Sequence, residues 1–555
     1  MLTIVYKIFT FIWFGKHLFL AHVAAKVMNQ KFLKQPIFWV LCSALMLTLS
    51  WQPSGFFILV FGGFVPLLYL EEKLRNRTGF FFLLLFLSLL LWNISVTYWV
   101  CNASAVGGVA AFLINTLLMC LPFMLMHRMM HKAGPSKAYT FFIAAWLAFE
   151  YLHLNWEISW PWLTLGNVFS TAPDIVQWYE YTGALGGSFW VLLVNIKLFR
   201  YLKSLPERSK PMRFSKGFNL AFFYLLVPTL LSWHVLADYK QKGKPMRVMV
   251  VQPNIDPYTD KFEGMSPEEQ VGKMLQLAEA NMDSSVQLIC FPETALLGGL
   301  DEDHLAFNTV IRQVRDFLEK HPQVQILSGA DTYSFYKSGE TLSETARRYN
   351  DMFYYDAYNS AIFFNQTDRI SIYHKSKLVP GVERMPYPAL FKFLENLTLE
   401  LGGTSGSLGR DNGAKVFDMG RGNLLAPVIC YESVYGEYVG RYVKKGAGLI
   451  CVVTNDGWWG NTPGYQQHFN YAKLRAIEMR KYIARAANTG ISGFIDDKGQ
   501  TISSSSWWVP DALKADLYIM QSQTFYATYG DYIGVIGVLI FILNLPLLFR
   551  KRILD

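Results

Sequence analysis

Apolar residues fall along this chain in two rhythms. Over roughly the first 240 residues and the last ~25 they form blocks close to the ~20 residues a helix needs to cross a bilayer. The blocks 37–51, 55–70, 79–98, 106–127, 139–155, 183–199, 217–237 and 530–549 predict eight spanning helices, the first two of them short. Between about 240 and 528 the pattern changes to short β-branched runs at 246–252, 286–292, 324–329, 358–364, 424–430 and 447–454. Helical spacing separates them at 266–282, 302–320 and 464–485, an alternation that predicts a layered α/β domain with buried sheets. The N-terminal stretch "YKIFTFIWFGKHLFLAHVAAK" is interrupted by Lys7, Lys16 and His17, which suits a helix lying in the membrane interface. A signal peptide is the rival reading there; Lys16 would break its apolar core.

Composition sharpens this picture. The 555 residues are 52% hydrophobic, above the usual share for a soluble protein, and the excess lies in the blocks just named. A net charge of +9 would suit nucleic acid if it were a stripe, but the basic residues border apolar blocks instead. Lys73, Arg75 and Arg77 fill one connection and Arg128, Lys132 and Lys137 another. Seven Lys/Arg lie between Lys197 and Lys216, and Arg550, Lys551 and Arg552 follow the last block, while the alternate connections carry none. This is the positive-inside pattern, and counting sides from it puts the α/β domain outside the cytoplasm. The expected plan is an interfacial segment 1–35, transmembrane helices 36–240, an extracytoplasmic domain 241–528, and a last helix with a basic cytoplasmic tail, 529–555. In a two-membrane bacterium the domain would face the periplasm. Six cysteines make no disulfide framework, and Cys290 and Cys451 sit in strand-like runs where packing is the default. No metal-ligand spacing, phosphate-binding glycine loop or nucleic-acid stripe is present, so no cofactor and no nucleic acid is expected.

Three predicted strand ends carry chemically useful residues: Glu293 in "ICFPETA", Lys375 in "ISIYHKSKLVP" and Cys430 in "PVICYES". Each alone is unremarkable, since an isolated strand-end carboxylate or lysine is usually solvated and a lone cysteine usually packs. In the order Glu, Lys, Cys, with Tyr373 before the lysine and Glu383 after it, they resemble the nitrilase superfamily of carbon–nitrogen hydrolases. "VQPNI" at 251–255, "TNDGWWG" at 454–460 and "HFNYAKLRAIEMRKYIARAANTG" at 468–490 extend the resemblance. It implies an α-β-β-α sandwich in which Glu293 takes a proton from the Cys430 thiol and Lys375 stabilises the oxyanion formed when the thiol attacks a carbonyl. It further implies supporting roles for Glu383, which would orient Lys375, and for Tyr431 and Glu432 beside the thiol.

The membrane part narrows the resemblance. Spans placed before and after the domain, with "SWPWLTLGNVF" at 159–169 and "YTGALGGSFWVLLVN" at 181–195, are similar to the apolipoprotein N-acyltransferase family of the bacterial inner membrane. That resemblance implies transfer of a fatty acyl chain from a phospholipid, typically phosphatidylethanolamine, through a cysteine thioester to the N-terminal amine of a diacylglyceryl lipoprotein. Trp458, Trp459, Met385 and Tyr387 become candidate lipid contacts, with ordinary packing as the rival reading. Where relatives commonly read "NHLVPFGE", this chain reads "SKLVPGVE", so Lys377 replaces a histidine and Gly381-Val382 a Phe-Gly pair. The alternatives are a membrane-tethered amidase that uses water, and a non-catalytic lipoprotein-binding or transport protein.

Overall fold

Every apolar block predicted as a span is helical in the computed structural model, which describes residues 35–51, 53, 55–204, 216–261, 264–367, 369–387 and 407–550. The expected interfacial segment, apart from Gln35, lies outside the described residues. Helix α1 is Pro36–Ser50, and the second block is broken into Phe57–Leu59, Val60–Gly63 and α2, Val65–Lys73, with Pro66 at the start of α2 where a missing N–H matters least. Helix α3 is Thr78–Thr97. The next two blocks form one helical stretch, α4, Ala105–Leu154, broken where Gly134 adopts φ 78° before Pro135. Helices α5, Tyr179–Lys203, and α6, Lys216–Asp238, complete the N-terminal bundle. Among the described residues four helices are long and apolar enough to cross a membrane: α3, α4, α5 and Tyr532–Phe549.

The burial pattern of α3 explains its place. Phe81, Leu85, Leu89 and Trp92 follow the helical repeat inward and are fully buried, while Phe80, Leu83, Leu91 and Ile94 face outward and are exposed. Exposed leucines 113, 117 and 121 of α4 continue that apolar outer surface, which suits lipid and not water. The C-terminal helix Tyr532–Asn544 lies against α4 through Gly534 and Gly537. A Cβ on Gly537 would stand 2.7 Å from the Leu147 Cβ, so the absence of side chains permits that approach. The bundle interior holds ionisable groups near its ends: Glu71 meets His127 at 3.1 Å, and Glu150 accepts from Trp146 Nε1 at 2.9 Å.

The second body is a sandwich of two sheets. The first joins β14 (Asp511–Met520), β1 (Gly243–Gln252), β2 (Leu288–Cys290), β4 (Gln325–Phe335), β6 (Tyr354–Phe364) and β5 (Arg347–Arg348) in that order, with β3 (Leu296–Asp301) on β4 and β7 (Ser371–His374) on β6. The second runs β13 (Thr501–Ser504), β12 (Gly493–Ile495), β11 (Ile483–Ala487), β10 (Ala447–Thr454), β9 (Leu424–Ile429) and β8 (Phe417–Asp418). Strand alternation separates the layers: Val248 and Val250 of β1 pack with the second sheet, and Met249 and Val251 pack with helices α7 (Pro267–Asn281) and α8 (Thr309–Lys320). Helices α9 (Gly436–Lys444) and α10 (Pro463–Met479) cover the second sheet, which completes the α-β-β-α order.

The helix expected over 464–485 ends at Met479. Arg480 adopts φ 48°, a left-handed cap that stops the helix and turns the chain into β11. Helix α10 also joins the two bodies. Tyr471 Oη receives a bond from Trp51 Nε1 at 3.1 Å and donates to the Trp162 carbonyl at 2.6 Å. Gln467 Nε2 donates to the Val96 carbonyl at 3.0 Å, and Glu478 Oε1 accepts from Ala184 N at 3.0 Å.

Candidate active site

Glu293 lies just past β2, in a segment pressed against β4. Gly329 of β4 makes this approach possible, since a Cβ there would stand 2.5 Å from the Glu293 Cα. Lys375 follows β7 directly, and its own N–H donates to the Asn359 carbonyl on β6 at 2.8 Å. Cys430 follows β9 and adopts φ +46°, a conformation that costs a non-glycine residue of order 1–3 kcal/mol. Its carbonyl is held by Ser433 Oγ at 2.7 Å and His468 Nε2 at 3.1 Å.

The lysine is the hub of the polar cluster. Its Nζ, almost fully buried, donates to Glu293 Oε1 at 3.0 Å and to Glu383 Oε1 at 2.8 Å. Asn359 Nδ2 bridges the same two oxygens, both at 2.8 Å. Glu293 Oε2 accepts from the Asn455 N–H at 3.1 Å, and Glu383 Oε2 from the Val379 N–H at 2.8 Å. Lys261, also buried, donates to the Glu293 carbonyl at 3.2 Å and to Thr294 Oγ1 at 2.6 Å.

Electrostatics then divides the protons. Burial pushes the Glu293 carboxyl up, but Lys375, Asn359 and Lys261 outweigh it and hold the group below its ordinary value. Burial opposes charge on Lys375 too, and Glu293 and Glu383 overcome it and keep the ammonium charged well beyond its usual range. Burial, followed by the Glu293 charge, pushes the Cys430 thiol up, while Lys375 pulls it down more weakly. At neutral pH the site therefore rests as carboxylate, ammonium and protonated thiol.

Of the other residues singled out in the sequence, Glu432 is fully buried and faces scaffold donors. It accepts from Tyr373 Oη at 2.6 Å, Ser376 N at 2.7 Å, Ile429 N at 2.9 Å and Tyr442 Oη at 3.0 Å, tying the lysine segment to the cysteine turn. Tyr431 Oη donates to the Ser159 carbonyl at 3.0 Å and so fastens the Cys430 turn to the helical bundle. Trp459 is half-buried against Trp99 at 4.6 Å and Trp162 at 5.7 Å. Trp458 meets Tyr258 at 5.5 Å, Met385 is half-buried with its N–H on Ser407 Oγ at 3.3 Å, and the Tyr387 N–H donates to Glu157 Oε2 at 2.6 Å.

Sequence reasoning missed Asn359, Lys261 and a buried cluster behind the Cys430 turn. His468 Nδ1 meets Asp456 Oδ1 at 2.9 Å, and Arg485 Nη2 donates to Asp456 Oδ2 at 2.6 Å, with all three side chains inaccessible. The available signals were a polar residue inside the apolar run of β6 and a lone histidine and aspartate in the quoted motifs. Burial raises the Asp456 carboxyl, but Arg485 and His468 prevail and hold it at about 2. A depressed carboxyl contributes stability above its ordinary 3.8, and that contribution is lost as pH falls through about 2. Asp456→Asn is expected to destabilise the protein by about 3–5 kcal/mol at neutral pH, because Arg485 would keep its charge without a partner. Unfolding curves of the two proteins should converge as pH drops toward 2.

A sandwich with an acid, a lysine and a cysteine at converging strand ends belongs to the carbon–nitrogen hydrolase class, and residues 247–524 match the carbon-nitrogen hydrolase family. Residues 43–197 match the apolipoprotein N-acyltransferase N-terminal domain. An apolipoprotein N-acyltransferase of Chlorobaculum tepidum is 30% identical over 531 residues, covering 92% of this chain and 96% of its own. Another, from Geobacter metallireducens, is 25% identical and covers 88% of this chain and 90% of its own. Among solved structures, an amidase from Nesterenkonia sp. aligns with 53% of this chain and 96% of its own at 15% identity and TM-score 0.35. The chain belongs to the apolipoprotein N-acyltransferase family.

Proposed function

We propose that this protein transfers a fatty acyl chain from a phospholipid, through a thioester on Cys430, to the N-terminal amine of diacylglyceryl lipoproteins. Its substrates are lipid donors and lipoproteins, and the enzyme is an acyltransferase. One observation carries the thioester assignment: a thiol on a left-handed strand-end turn lies within electrostatic reach of a buried Glu–Lys pair, next to a tyrosine fastened to the helical bundle.

In the first half-reaction Cys430 Sγ attacks the ester carbonyl as Glu293 takes the thiol proton. An ammonium has three N–H donors. Lys375 directs two at Glu293 and Glu383, which leaves the third for the developing oxyanion, joined by the Tyr431 N–H. Collapse breaks the ester C–O bond, and the departing lysophospholipid alkoxide takes the proton back from Glu293. In the second half-reaction the neutral α-amine attacks the thioester, Glu293 accepts its proton, and the thiolate leaves to be reprotonated. Glu383 orients Lys375, while Glu432 and Tyr431 hold the cysteine turn.

The same reading places eight helices in the bacterial inner membrane, with the domain 241–528 in the periplasm, the bundle 36–240 before it, the segment 1–35 at the interface, and 529–555 returning to the cytoplasm. Alternation of basic connections with connections free of Lys and Arg supports that orientation, and the exposed apolar faces of α3 and α4 support the lipid environment. Phosphatidylethanolamine is the proposed donor, delivered without full extraction from the leaflet. Incubation with an alkyne-acyl phosphatidylethanolamine is expected to leave a hydroxylamine-sensitive label on the wild-type enzyme that a lipopeptide amine discharges. Spontaneous loss of that label to water at a comparable rate would instead identify a hydrolase.

A further inference from the structure

A cleft of about 400 Å³ opens between the loop after α4 and the segments that follow Lys375 and Ser407. Three cations line it, Lys377, Arg384 and Arg410, together with Glu157, Ser159 and Tyr387. The Arg384 guanidinium reaches Glu344 at 3.3 Å, but that carboxylate is largely exposed, and the buried Arg384 Nε has no hydrogen-bond partner among the described residues. Lys377 stands over the rings of Tyr435 and Tyr438, at 5.0 and 5.9 Å. Burial, and then repulsion from Arg384, lowers the affinity of Arg410 for its proton; burial and Arg441 do the same for Lys377. Glu157, the acid lining the cleft, already accepts the Tyr387 N–H through Oε2. Three like charges gathered in a partly buried cleft are stable together when an anion joins them.

The position of the cleft says which anion. Ser376 and Lys377 line it and follow Lys375 without a break; Ser159 also lines it and receives the Tyr431 hydroxyl beside Cys430. These links set the cleft next to the chain segments that carry Lys375 and Cys430, a place suited to the anionic part of a molecule whose carbonyl reacts at the thiol. A glycerophospholipid carries its phosphodiester a few bonds from the sn-1 ester, and paired guanidinium groups are suited to phosphate oxygens. We propose that Lys377, Arg384 and Arg410 form the binding site for the phosphodiester of the acyl donor. This inference rests on the acyltransferase reading above.

Binding and chemistry are separated by using the full-length Cys430→Ala protein in detergent micelles, which binds without turnover. Fluorescent lysophosphatidylethanolamine is the probe, with a monoacylglycerol of the same chain as its phosphate-free counterpart. In an Arg384→Gln/Arg410→Gln background the lysophospholipid should bind roughly 10- to 100-fold more weakly, since two charge-assisted contacts are lost, while monoacylglycerol binding is unchanged. Equal losses for both ligands, or no loss for either, would overturn the proposal. Displacement of the probe by inorganic phosphate at concentrations comparable to the lipid would also overturn it, assigning the cleft to free phosphate. Acylation of the otherwise wild-type double variant is measured separately. Failure of wild-type Cys430 to acquire an acyl group would count against the thioester and leave the binding result standing.

Discussion

Cys430→Ala protein will acquire no acyl group from phospholipid and will leave lipoprotein amines unmodified, a loss of about four to six orders of magnitude in rate. The size of the effect follows from the mechanism. With the thiol gone there is no covalent intermediate, and the amine would have to attack an ester directly in a site arranged around sulfur. The turn should survive, because the Cys430 carbonyl is held by Ser433 and His468, contacts that the substitution leaves in place. Intact-protein mass spectrometry after incubation with phospholipid checks the first half-reaction, and lipopeptide acylation checks the second. An acyl adduct on the alanine variant would move the nucleophile to another residue. Cys290 and Cys451, fully buried and 3.5 Å from one another between the sheets, are the other thiols of the domain.

Lys375→Met should reduce acylation by about 10²- to 10³-fold, the usual consequence of removing one donor from a developing oxyanion. A second effect distinguishes this lysine from a mere structural tie. Its charge is the largest influence opposing burial at Glu293. Once it is removed, burial is less opposed, the carboxyl pKa rises, and the acidic limb of the residual pH–rate profile moves toward neutral pH. Asn359→Leu, which removes a neutral donor from the same oxygens, should move the limb in the same direction by less. A Lys375→Met profile with the wild-type acidic limb would exclude Glu293 as the base under Lys375 control.

Much of the architecture was legible in the linear pattern because the environments that impose it are local. Lipid demands long apolar blocks, so the predicted spans coincide with helical segments even where α4 runs through Gly134. Buried sheets demand β-branched runs, so β1, β2, β4, β6, β9 and β10 were foreseen. The short strands β8, β12 and β13 were not, since two to four residues carry too little periodicity. The helix expected to 485 overran because Arg480 is a good helix former by type, and only its left-handed cap ends α10.

The sequence by itself determined the two-body plan, the candidate base Glu293, oxyanion donor Lys375 and nucleophile Cys430 at strand ends, and the anomaly of Lys377. Those features depend on residue type and near neighbours, and they survive in one dimension. Tertiary structure alone decided that Asn359 bridges the Glu293 and Glu383 oxygens that Lys375 holds, that Glu432 braces the backbone, and that Asp456, His468 and Arg485 support the turn from behind. It alone gathered Lys377, Arg384 and Arg410 around one cleft. Charges on separate loops acquire their meaning from the partners and the burial that folding gives them, and neither is encoded in spacing along the chain.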